Sequence, residues 1–378
     1  MAVDPPVRDG AGVARVCRGA HAGDGEGVAG LRRTGGEERG IKLKRAKQVL
    51  AVVLLLAVGY GAVWAVAKYR ATPPSSGEAY HPVSDWPAPQ NKIKIGQVSG
   101  VAVDSTGDVF IFHRADKIWE GEALALDTIP ASTILVLDSQ TGTLIDHWGA
   151  DTFVMPHGLT IDADDNLWLT DVGLHQVFKF DRAGNLLMTL GERGVAGNDE
   201  SHFNMPTDVA VAEDGSFFVS DGYGNSRVVK FSADGKYLTS WGSKGTEPGQ
   251  FDVPHSIAID SKGILYVADR GNARLQLFNE NGQFIAEWKG SFFGRPWAVR
   301  ISQTGNIYVV DGGDQSQFWP DRARVLKLDS EGNLLAAFGS FGDAPGQFIW
   351  PHAIAVGLDE ALYVGEVSTG MRVQKFTR

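Results

Sequence analysis

The chain has 378 residues, 43% of them hydrophobic, which is enough for a sizeable core in one large domain. Its charge is unevenly placed: residues 1–70 hold 12 of the 35 basic and 6 of the 45 acidic groups, and the remainder holds 23 and 39. An acidic main domain argues against nucleic acid as a partner, and a single cysteine, Cys17, excludes an intramolecular disulfide or a thiolate metal cluster.

Residues 1–40 are rich in Gly, Ala and Arg without a hydrophobic period, and read as a disordered tail. Residues 41–70 begin with Lys42, Lys44, Arg45 and Lys47 and continue into an uncharged run from Val49 to Ala67. At helical rise that run spans a bilayer core, and the basic flank keeps its N-terminal side in the cytoplasm. The expectation is a transmembrane helix that anchors an extracytoplasmic domain to the membrane through residues 49–67. The alternative is a secreted protein whose signal is cleaved near Ala67. Residues 71–90 carry Pro73, Pro74, Ser75, Ser76, Gly77, Pro82, Pro87 and Pro89, a tether whose later part can pack onto the domain.

From residue 91 to 378 one motif returns. Met155-Pro156-His157-Gly158-Leu159 reappears as Val253-Pro254-His255-Ser256-Ile257 and as Trp350-Pro351-His352-Ala353-Ile354. Two copies have no histidine, at Pro206-Thr207-Asp208 and Pro296-Trp297-Ala298, and a worn first copy is Ser99-Gly100-Val101. Each copy leads into three further short runs of strand-like residues bounded by Gly, Asp and Asn. Four strands repeated about six times, with a period of roughly 40 to 55 residues, predict an all-β fold: a six-bladed β-propeller. The last copy ends on its third strand, and Ile93-Lys94-Ile95 is the expected closing strand.

Histidine occupies the shared register in the second, fourth and sixth copies. First strands line the central channel of a propeller, so His157, His255 and His352 converge from directions about 120° apart. Three imidazoles with an open fourth position suit Zn²⁺, whereas a ring of carboxylates would suit Ca²⁺. A lone Pro-His is usually a turn; three in one register point to a metal. His81, His113, His147, His175 and His202 lie outside that register and read as surface, loop or supporting residues. Second strands end at the same rim, which places Arg114, Tyr223 and Arg270 beside the proposed metal. The repeated Asp171, Asp221, Asp269 and Asp311 read as blade-turn residues.

Ile111-Phe112-His113-Arg114, Pro156-His157-Gly158-Leu159, the run from Thr170 to Lys179, the run from Ser220 to Arg227, and Val253-Pro254-His255-Ser256 closely resemble peptidyl-α-hydroxyglycine α-amidating lyases. The similarity runs from about Asp85 onward. It implies a six-bladed propeller of NHL repeats, zinc on His157, His255 and His352, active-site arginines at Arg114 and Arg270, and a catalytic tyrosine at Tyr223. It also implies a structural calcium on the carbonyls of Val101 and Leu159 plus an aspartate. That last position is Ala353, the methionine expected nearby is Trp350, and Gly224 and Asn204 stand where the animal enzymes have cysteines. The implied reaction cleaves a peptidyl-α-hydroxyglycine to a peptide amide and glyoxylate. The rivals are a non-catalytic NHL propeller that binds a peptide or cell-envelope partner, and a propeller enzyme acting on another small substrate.

Overall fold

In a computed structural model, the described residues are 47–50, 52–54, 79–89, 94–119, 125–290, 292–314 and 322–378. Residues 1–40 and most of the proposed 49–67 span fall outside them. Among the described residues no helix is long and apolar enough to cross a membrane.

Each repeat folds as one antiparallel sheet because its apolar runs are cut by turns with built-in acceptors. Asp162, for example, accepts hydrogen bonds from the N–H groups of Asp164 and Asn166 at 3.0 and 2.9 Å, and Asp165 between them takes the left-handed conformation. Among the described residues there are six four-stranded sheets. Their first strands are Val98–Val103, Pro156–Ile161, Pro206–Val211, Pro254–Ile259, Pro296–Ile301 and Pro351–Val356. Each of these touches the first strands of both neighbouring blades, which closes a ring around a central axis.

First and second strands are buried almost throughout, while fourth strands such as Leu186–Leu190 are half exposed. The core lies between adjacent blades. Phe110, Phe112 and Ile134 of blade 1 pack with Leu159, Leu169 and Phe178 of blade 2. Each fully buried side chain of this size contributes roughly 1.5–3 kcal/mol, so the ring is held by its inter-blade seams.

Closure differs from the expectation. The strand that completes blade 6 is His81–Pro82, with His81 opposite Thr377 and Pro82 opposite Phe376, whereas Lys94 and Ile95 form no strand. Aromatic anchors on either side fix this choice. Tyr80 stacks on Phe338 at 4.7 Å and meets the Tyr308 hydroxyl at 3.1 Å. Trp86 is buried and donates to the Asp138 carbonyl. The later part of the tether is therefore part of the propeller, which begins near Tyr80 and not at residue 91.

Candidate metal centre and substrate pocket

Proline opens five of the six first strands. It has no N–H to leave unpaired, so the first position of a strand suits it. Just after it the pairing slips. Pro254 faces Asp269 but Ser256 faces Ala268, so His255 is left out of the ladder. The same slip falls at Ser99, Thr207, Trp297 and His352, and across His157-Gly158 in blade 2. Such a bulge re-aims one side chain, and here it aims the shared register at the axis. The carboxylates that close the second strands brace the approach. Asp171 accepts from the N–H groups of Val154 and Met155, Asp269 from Asp252, and Glu366 from Ile349. Burial pushes all three carboxyls up. Asp171, Asp221, Asp269 and Asp311 thus hold loops, in keeping with their reading as turn residues.

The ring centroids of His157, His255 and His352 form a triangle with every side 4.8 Å, and all three residues are buried. His157 Nδ1 donates to the Thr207 carbonyl at 2.6 Å, His255 Nδ1 to Trp297 at 2.6 Å and His352 Nδ1 to Ser99 at 2.9 Å. A carbonyl can only accept, so each Nδ1 carries the hydrogen and each Nε2 presents a lone pair to the axis. Burial, reinforced by Arg114, lowers His157 to about 3, and burial holds His255 and His352 well below the usual imidazole range. The imidazoles are neutral, the state in which histidine binds metal. The Tyr223 hydroxyl lies 2.9 Å from His255 Nε2 and 3.2 Å from His157 Nε2. It has one proton for two acceptors, so the cluster holds more lone pairs than protons. That donor set fits a borderline-soft cation such as Zn²⁺. Among the described residues this is the one group of three or more such side chains placed to hold a metal.

Above the histidines opens a cavity of about 320 Å³ lined by Arg114, Trp119, Tyr223, Arg270, Trp297 and Trp350, among others. Arg114 is buried; its Nε donates to the Pro156 carbonyl at 3.0 Å and its Nη1 to Gln97 Oε1 at 2.7 Å. Burial lowers it to about 10, so it stays cationic at neutral pH. Arg270 lies over Trp297 at 4.6 Å and over Tyr223 at 5.3 Å. Tyr223 also meets Trp119 edge to face at 5.1 Å. The site residues expected at this rim are therefore brought together in one pocket.

Sequence reading missed Trp119, which follows no repeat, and Gln97, which orients Arg114. It also missed what Ser99, Thr207 and Trp297 do: the copies without histidine supply the carbonyls that aim the histidines. Their shared register was the available signal. Of the remaining histidines, His175 Nδ1 accepts from Met205 N–H at 3.0 Å and so supports the approach to blade 3. His113 is buried and its Nδ1 accepts from Gly96 and Ala115 N–H, both at 3.1 Å. His147 and His202 make exposed contacts.

The NHL repeat matches residues 153–180, 203–231 and 251–278. Peptidyl-α-hydroxyglycine α-amidating lyase 2 of Drosophila melanogaster is 35% identical over 315 residues, 78% of this chain and 73% of that protein. The chain belongs to the peptidyl-α-hydroxyglycine α-amidating lyase family. The peptidyl-glycine α-amidating monooxygenase B of Xenopus laevis is 40% identical over 305 residues, 75% of this chain and 34% of that protein. The chain thus spans about a third of the length of the vertebrate relatives it matches. Among solved structures, a gluconolactonase of Xanthomonas campestris has the same fold, with a TM-score of 0.53 at 15% identity over 81% of this chain and 97% of that one.

Three departures from the lyase family can be placed. Trp350 lines the substrate-sized cavity. Asn204 and Gly224, in the cysteine positions, adjoin, with Gly224 N–H donating to the Asn204 carbonyl at 3.0 Å. The calcium set does not fit: Ala353 offers no carboxylate, and the Leu159 carbonyl accepts from Arg300 Nη2 at 3.1 Å.

Proposed function

We propose that this chain is a zinc-dependent lyase that cleaves a peptidyl-α-hydroxyglycine to a peptide amide and glyoxylate. The observation that carries the reading is the convergence of three neutral imidazoles and the Tyr223 hydroxyl below a pocket with two arginines, in a chain of this family. Zinc on His157, His255 and His352 would supply a Lewis acid that lowers the pKa of the substrate's α-hydroxyl. Arg270 binds the glycine carboxylate. Its contacts with the faces of Trp297 and Tyr223 do not consume its N–H groups, which remain for a two-pronged pair. Arg114 adds a fixed positive charge, since Pro156 and Gln97 already hold two of its nitrogens. Tyr223 relays the proton: its own phenolic proton goes to the amide nitrogen as the C–N bond breaks, and its oxygen takes the substrate's hydroxyl proton in exchange. The bonding pair leaves with nitrogen, the C–O bond becomes a carbonyl, and nothing is oxidised or reduced. Trp119, Trp297 and Trp350 form the wall for the residue that precedes hydroxyglycine.

The direct test is incubation of the zinc-loaded domain from residue 79 to 378 with a hydroxyglycine-extended peptide. Amide and glyoxylate formed in equal amounts support the reading. No conversion, together with peptide binding, would favour the non-catalytic propeller.

We also propose that residues 49–67 anchor the propeller on the extracytoplasmic side. The length of the apolar run and the basic cluster before it support this. Membrane fractionation with mapping of the mature N-terminus tests it: a soluble protein that begins near Ala67 would mean a cleaved signal instead.

A further inference from the structure

The first strands place side chains on the axis in layers: the bulge lets the histidine register and the residue after it both line the channel, and beyond it residues two apart share a face. Below the histidine layer lie Gly100, Gly158, Asp208, Ser256, Ala298 and Ala353, and below these Ala102, Thr160, Ala210, Ala258, Arg300 and Ala355. One layer thus contains a single carboxylate, and the next a single long cation among small residues that leave it room. The two meet. Arg300 Nη1 lies 2.9 Å from Asp208 Oδ2 and Nη2 lies 3.2 Å from Asp208 Oδ1, a two-pronged pair. The same guanidinium donates to the Leu159 carbonyl at 3.1 Å, the Val299 carbonyl at 2.8 Å and Ser256 Oγ at 3.2 Å. Ser256 Oγ in turn donates to Asp208 Oδ2 at 2.7 Å.

This network joins blades 2, 3, 4 and 5, and its members are next to the residues that build the metal centre. Leu159 is two residues past His157, and Ser256 follows His255. Asp208 follows Thr207, and Val299 is two residues past Trp297; Thr207 and Trp297 hold the two histidines by their carbonyls. A small cavity of about 20 Å³ lies between the histidines and Arg300, and on its other side Arg300 lines a second cavity of about 250 Å³ at the opposite mouth. The guanidinium is the floor of the site.

We infer that Arg300 is the channel's resident cation: paired with Asp208 and bonded to the Leu159 carbonyl, it replaces a structural calcium and keeps the strands of His157 and His255 in register. A protein-borne charge cannot be chelated away. It also claims the carbonyl and the carboxylate for which a hard divalent cation would have to compete. Arg300 and Asp208 are positioning residues that act on His157 and His255 through the strands they clamp.

The experiment compares the wild-type protein with Arg300→Met, Asp208→Ala and the double variant, reading the thermal midpoint of the zinc-stripped proteins with and without added calcium, and zinc affinity by competition with a chromophoric chelator. The wild-type midpoint should not move with calcium. Each single variant should melt several degrees lower and bind zinc about 10–100-fold more weakly, the usual range for residues that orient metal ligands. The double variant should lose less midpoint than the two losses combined, because neither charge is then left alone. A wild-type midpoint raised by calcium, additive losses, or unchanged zinc affinity in a folded Arg300→Met protein would each overturn the inference. If Arg300→Met does not fold, Arg300→Lys keeps the charge without the two-pronged geometry and takes its place. The calcium and additivity arms need no metal on the histidines, so their outcome is separate from the success of the lyase reading.

Discussion

His157 Nδ1 stands 2.6 Å from the carbonyl oxygen of Thr207, the residue that fills the histidine's own register in the next blade. His255 and Trp297, and His352 and Ser99, repeat the relationship around the ring. The alternation of histidine and other residues is therefore a division of labour. One blade offers a ligand, and its neighbour fixes the tautomer and the direction of the ring.

Because the holder acts through its backbone, its side chain is dispensable for aiming the histidine. Ser99→Ala removes only a 3.3 Å hydroxyl contact with the Phe112 carbonyl. It should leave zinc binding unchanged and cost about 1 kcal/mol or less in urea unfolding. His352→Ala should abolish tight zinc binding. Equal metal loss in both variants would refute the division of labour.

In the proposed mechanism Tyr223 moves a proton, and its hydroxyl contacts His255 Nε2 and His157 Nε2. Tyr223→Phe should keep full zinc content and lower kcat by roughly 10²–10⁴-fold. Turnover near the wild-type level would remove it from the mechanism.

The two arginines should separate in kinetics and stability. Arg270→Gln should raise KM for hydroxyglycine peptides about tenfold or more and leave the unfolding midpoint nearly unchanged. Arg114→Gln strands the Pro156 carbonyl and Gln97 in a buried site, and should cost about 2 kcal/mol or more of stability as well as activity. Matching profiles for the two variants would show that their environments do not set their roles.

His113 supplies a pH prediction. Its Nδ1 must be unprotonated to accept from Gly96 and Ala115, and burial lowers it to about 4 from 6.5. Between those values the unfolded chain binds the extra proton, so stability is present above pH 6.5 and is lost as pH falls toward 4, by on the order of 3 kcal/mol. His113→Asn should flatten that part of the stability curve by up to one proton. An unchanged slope would show that His113 does not titrate there.

Much of this was legible in the sequence because it repeats. Alternating apolar runs between Asn, Asp and Gly turns gave the blades, and one shared register gave His157, His255 and His352. Arg114, Tyr223 and Arg270 followed from the antiparallel return of the second strand. What was hidden has no local pattern. His81–Pro82 is a two-residue strand fixed by Tyr80 and Trp86, whose partners lie far along the chain. The Arg300–Asp208 pair joins residues 92 positions apart, and the slip that turns each histidine to the axis is visible only in the pairing.

The most direct measurement is the metal content of the purified domain after zinc loading and desalting, wild type beside His255→Ala, with circular dichroism to check the fold. One zinc per chain in the wild type and close to none in a folded His255→Ala protein is the expected result. A wild-type domain that retains no zinc yet still converts hydroxyglycine peptides at full rate would contradict a metal centre on these three histidines.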